Sequence, residues 1–250
     1  MKDSQPVTHY LKDYEPPHYL VSATILQIQL YEEGARVTAT LHLHRNPGLV
    51  GETPLVLDGC GLQLEHVVLN GRELSPEEYR VSDQALTIAG VPPLFELTTT
   101  TWIQPQENTC LEGLYRSGKL FCTQCEAQGF RRITYYPDRP DVMARFTVTI
   151  EAEKSQYPVL LSNGNPVADG HTGAGRHWMT WEDPFPKPSY LFALVAGDLR
   201  WVEDCFTTAS GRQVTLRIYV EPGNLDKCAH AMASLQRAMR WDEVAFGREY

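Results

Sequence analysis

No stretch of this sequence stays apolar for long. The longest run, around YLFALVAG, falls far short of the roughly 20 residues a membrane-spanning helix needs. The opening MKDSQPVTHYLKDYEPPHY has no apolar core of a secretory signal, so the expected compartment is the cytoplasm. Basic residues never form a run of five. With 31 acidic against 22 basic residues and a formal charge of −9, the chain is a poor partner for a phosphate backbone. Neither nucleic acid nor a membrane is an expected partner. Six cysteines are too few and too scattered for a disulfide framework. Also missing are HExxH, GxSxG, Walker and GxGxxG segments, so no complete catalytic apparatus is visible as a motif.

What is present is strand after strand. VTATLHLH alternates, with Val37, Ala39, Leu41 and Leu43 on one face and Thr38, Thr40, His42 and His44 on the other. LQLEHVVLNGREL holds a hairpin signal at Asn70-Gly71. ALTIAGVPPLFELTTTTWIQP supplies two strands around a Pro-Pro break, and ARFTVTIEAE another. YPVLLSNGNPVADG is expected to end a strand in turn residues, and RHWMTWEDPFPKPSYLFALVAGDL to pair an aromatic strand with a buried one. The expected class is therefore mainly β, a multi-sheet sandwich-like domain. Near residue 198 the texture changes. RQVTLRIYVEPG is one more strand, and NLDKCAHAMASLQRAMRWDEVAFG reads as a long helix capped by Asn224, with Cys228, Met232, Leu235 and Met239 as its stripe. The closing FGREY shows no cap and reads as a cut through a second domain.

Four groups compete for chemistry. Cys122 and Cys125 have CxxC spacing, but no helix follows them and no second pair completes a four-ligand zinc site, so small side chains beside a strand are preferred. His42 and His44 share a strand face with no third ligand at hand, as a solvated face does. The DRPD segment reads as an arginine held by carboxylates at a proline turn. Gln124 and Glu126 lie two apart, so on an extended segment both point one way. A carboxylate and an amide aimed together suit a protonated amine, by charge and by hydrogen-bond acceptance.

The long segments NTCLEGLYRSGKLFCTQCEAQGFRRITYYPDRPDVMARFTVTI, YPVLLSNGN, GRHWMTWEDPFPKPSYLFALVAGDL and MRWDEVAFGREY resemble the zinc aminopeptidase N family, in its bacterial alanyl aminopeptidase branch. The resemblance implies an N-terminal β domain over residues 1–198 and the first strands and helix of a thermolysin-like catalytic domain over 199–250. It implies a metalloaminopeptidase that removes single residues from peptide N-termini, with zinc in the full-length enzyme and a monomeric state. Glu126 and Gln124 match the family's substrate-amine anchor. The family's Gly-Ala-Met-Glu-Asn and HExxH segments do not occur in the 250 residues. No catalytic residue and no metal ligand is therefore expected in this chain, which is expected to be inactive alone and to need the remainder of its catalytic domain. A non-catalytic β module that binds peptides or partner proteins is the alternative reading.

Overall fold

The computed structural model describes residue 8 and residues 10–49, 51 and 53–250. In chain order the strands are β1 (Tyr19–Leu30), β2 (Ala35–Arg45), β3 (Leu55–Asp58), β4 (Gln63–Leu69), β5 (Arg72–Glu73) and β6 (Tyr79–Val81). Next come β7 (Ala85–Ile88), β8 (Leu94–Ile103), β9 (Gly113–Ser117), β10 (Leu120–Gln124), β11 (Met143–Glu153) and β12 (Val159–Ser162). Then follow β13 (Asn165–Gly173), β14 (Arg176–Pro188), β15 (Leu194–Gly197), β16 (Arg200–Thr207) and β17 (Gln213–Val220), and the helix α1 (Ala229–Phe246). The fold is mainly β, as the alternation implies. Among the described residues no helix is long and apolar enough to cross a membrane.

Two compact units divide the chain, one ending at Gly197 and one running from Asp198 to Tyr250. In the first, an eight-stranded sheet has the order β13-β14-β11-β1-β2-β8-β4-β5. A four-stranded sheet, β12-β15-β10-β9, and a three-stranded sheet, β3-β7-β6, complete it. Period-two patterning sets which face is buried: Val37, Ala39, Leu41 and Leu43 of β2 are all fully buried. Those residues, Leu26 and Ile28 of β1, Val148 and Ile150 of β11, Phe121 of β10, Leu57 of β3 and Leu194 of β15 belong to one continuous apolar core. All three sheets thus share one interior. At Asn70-Gly71 the backbone takes φ of 50° and 78°, the left-handed pair that a two-residue hairpin requires.

In the second unit β16 and β17 form a hairpin and α1 belongs to the same small core. Phe206, Val214, Leu216 and Met232 are its buried residues. Gln236 donates to the Cys205 carbonyl at 3.1 Å and Arg240 to the Thr207 carbonyl at 3.1 Å, which ties the helix to β16.

Four local expectations are corrected. Residues 165–170, read as turn, belong to the edge strand β13 (Asn165–Gly173); their pairing is made by the backbone against β14, so no apolar period marks them. Asn224 does not cap α1: a short 3-10 turn (Leu225–Lys227) intervenes, Cys228 precedes the helix, and the Asn224 amide oxygen takes a bond from Lys227 Nζ at 2.6 Å. Leu235 of the expected stripe is exposed within its unit, while Cys228 and Met232 are buried. The helix end does carry a cap, because Gly247 sits at φ 63° and donates its N–H to the Glu243 carbonyl at 3.0 Å.

Candidate functional site

The segment from Gln124 to Asp141 is not the plain loop that its polar residues imply. Cys122, Thr123 and Gln124 finish β10, and Gln124 pairs with Gly113 at the start of β9. The chain then closes a tight turn, in which the Gly129 N–H bonds the Cys125 carbonyl at 2.8 Å, and enters a 3-10 turn over Phe130–Arg132. Two glycines make the approach possible. Gly113 has φ 76°, and a Cβ on Gly129 would lie 2.4 Å from the Gln124 carbonyl oxygen and 2.9 Å from the Gly113 nitrogen. Phe130, fully buried, plugs the turn into the core with edge-to-face contacts to Tyr136 at 5.0 Å, Phe192 at 5.2 Å and Phe146 at 6.0 Å.

On this scaffold Gln124 and Glu126 are exposed and Cys125 between them is buried. Gln124 Nε2 donates to the backbone oxygen of Glu126 at 3.2 Å, which leaves the amide oxygen as an acceptor. The Glu126–Ala127 peptide is cis. Among the described residues Glu126 enters no ion pair, so its carboxylate is open to an incoming cation.

A buried polar clamp holds the turn from below. Asp138, 1% exposed, accepts the Arg131 backbone N–H at 3.1 Å, Arg131 Nε at 3.0 Å and the Ser189 hydroxyl at 2.6 Å. The Asp138 N–H in turn donates to Asp58 Oδ2 at 3.0 Å, and Arg131 also faces Asp58 Oδ1 at 3.4 Å. Loss of hydration pushes the Asp58 carboxyl above its ordinary range, against the pull of the Arg131 charge. The second aspartate of DRPD does hold its arginine: Arg139 makes two bonds to Asp141, at 2.9 and 2.7 Å, and Tyr14 adds one at 2.9 Å. The Arg139 hydrogen bonds hold the Asp141 carboxyl below the usual range. Asp138 belongs instead to Arg131. The sequence reading missed Asp58, Gly113, Gly129 and Ser189. Of these only Asp58, before the glycine of VLDGC, and Gly129, in QGF, carried a turn signal.

The competing groups are not brought together. Cys122 lies in β10 between its partners Tyr115 and Val195. Burial, reinforced by the Asp138 charge, pushes the Cys125 thiol up, which keeps it protonated and unreactive. His42 faces Glu96 at 3.7 Å across the sheet. Among the described residues no group of three His, Cys, Asp or Glu side chains could hold a metal ion.

The chain superposes on the crystal structure of Legionella pneumophila aminopeptidase A in complex with aspartic acid with a TM-score of 0.92, at 38% identity over 96% of this chain and 28% of that one. A zinc metallopeptidase of Deinococcus radiodurans shares the fold at a TM-score of 0.70 and 18% identity, over 82% of this chain and 48% of that one. Residues 16–191 match the model of the peptidase M1 N-terminal domain. The chain belongs to the M1 peptidase family. It is 52% identical to aminopeptidase N of Caulobacter vibrioides over its full length and 49% identical to that of Escherichia coli over 98% of it. It spans 29% and 28% of those two relatives, less than a third of each. The zinc implied by the family finds no fitting three-ligand group among the described residues.

Proposed function

We propose that this chain is the amino-terminal part of a cytoplasmic zinc aminopeptidase and supplies the anchor for the substrate's α-ammonium. Glu126 provides the charge and the Gln124 amide oxygen a second acceptor. The observation that carries this reading is the exposed carboxylate and amide on either side of a buried cysteine, on a turn pinned by Phe130 and Asp138. An anchor on the amine fixes how far along the peptide the reacting carbonyl lies, so cleavage removes one residue at a time. The zinc ligands and the general base belong to the remainder of the catalytic domain, of which residues 199–250 are the opening. By itself the chain is inactive, and the full-length enzyme is a monomer acting on peptide N-termini.

An ion pair at 4 Å contributes about 1 kcal/mol in water and about 4 kcal/mol at intermediate dielectric. In the full-length enzyme Glu126→Ala is therefore expected to lower kcat/KM for an alanyl substrate by about 5- to 1000-fold. Zinc content, read by atomic absorption, stays at the wild-type level. Unaltered kinetics would remove Glu126 from the anchor.

A further inference from the structure

The β13–β14 hairpin at the edge of the large sheet carries a second pair of groups, unrelated to the amine anchor. His171 and His177 are direct cross-strand partners, so their side chains leave the same face. Their ring centroids lie 6.5 Å apart with the planes 31° from parallel. His177 Nε2 is 2.7 Å from the Tyr157 carbonyl oxygen. A carbonyl only accepts, so Nε2 carries the hydrogen and the neutral ring keeps its lone pair on Nδ1. Metal-ligating histidines are held in this way: a backbone carbonyl fixes the tautomer and leaves the other nitrogen for the ion.

We propose that His171 and His177 bind one divalent transition-metal ion between them. An ion–nitrogen bond of about 2.0–2.1 Å puts the ion roughly 3 Å from each ring centre, so two rings sharing it stand at most about 6 Å apart, when the ion lies on the line between them, and roughly 4–5 Å apart at a tetrahedral or right angle. The observed 6.5 Å is longer, so binding requires the exposed His171 ring to turn towards His177, whose own ring is held by the Tyr157 carbonyl. The surroundings leave room. The residue facing His177 on its other side is Ala152 of β11, and beyond His171 the sheet ends. Among the described residues no third side chain joins the set, so water completes the coordination. Two imidazoles without thiolate or carboxylate select nickel, copper(II) or zinc over magnesium or calcium.

Calorimetric titration of the purified chain with Ni2+ tests this, since nickel suits imidazole. The wild type is expected to take up one equivalent that His171→Gln and His177→Gln each lose, while a His42→Gln/His44→Gln variant keeps it. His171 is exposed on an edge strand, so its variant should retain the wild-type circular dichroism spectrum. Failure of the wild type to bind nickel, or uptake unchanged in folded His171→Gln, would overturn the proposal.

Discussion

Cys125 and Gln124 are neighbours with opposite environments. The buried thiol is held protonated by desolvation, while the amide and Glu126 stand in water. Alkylation of the native chain followed by mass mapping should label the exposed Cys110 and Cys205 quickly and leave Cys125 unmodified until unfolding. Rapid labelling of Cys125 would contradict its placement. Asp138 is the costliest single contact at the site. Asp138→Ala leaves Arg131 with its bond to the residue 138 backbone carbonyl and the longer approach to Asp58, and chemical denaturation should show a loss of about 3 kcal/mol, the low end for a broken buried pair. Asp141 sets a pH signature. Its carboxyl is depressed by Arg139, so its stabilisation is complete above the unfolded aspartate value of about 3.9 and disappears as pH falls through the lower folded value. The pair is partly solvated, so Asp141→Asn should cost about 1 kcal/mol or less at neutral pH, a deficit that vanishes in acid titrations of stability. The spacing of two that singled out Gln124 and Glu126 assumed an extended segment, but β10 ends at Gln124 and Glu126 lies in the turn that follows. Asp58 and Ser189 were not legible, because they meet Asp138 from 80 and 51 residues away.

Among the elements, β2 was readable from its letters because one of its faces is buried and the other is not. The edge strand β13 was unreadable for the converse reason: its residues are almost all exposed, and only backbone pairing makes it a strand. The β9–β10 hairpin and the turn after it depend on backbone proximity that sequence periodicity does not encode. Gly129→Ala puts a methyl group against the Gln124 carbonyl, the Gly113 nitrogen and the Cys125 Cα, none of which is a flexible side-chain end. The expected cost is about 1–3 kcal/mol in thermal or denaturant unfolding, accompanied by movement of Gln124 in a crystal structure of the variant. An unchanged melting temperature would mean that the turn has slack the contacts do not show.

At the scale of the whole molecule the two units have unequal interiors. The first shares one core among three sheets, whereas the second encloses Phe206, Val214, Leu216 and Met232 with Val202, Ile218 and Met239 alongside. A small core gives a small opening free energy. Hydrogen exchange of the 250-residue chain should therefore proceed faster in β16, β17 and α1 than in β1, β2 and β11, and equal protection would contradict that ranking. Strand patterning persists through β17 and gives way to a helical stripe only at α1, so the letters mark the helix more clearly than the boundary after Gly197. The amine anchor proposed for Glu126 and Gln124 would act in the longer enzyme, and its most direct test is a thermodynamic cycle there. Binding of a peptide analogue with a free α-amine is compared with its desamino counterpart, in the wild type and in Glu126→Gln. The account predicts that the wild type prefers the amine by about 1–4 kcal/mol and that the variant loses most of that preference. An undiminished preference in Glu126→Gln would contradict it.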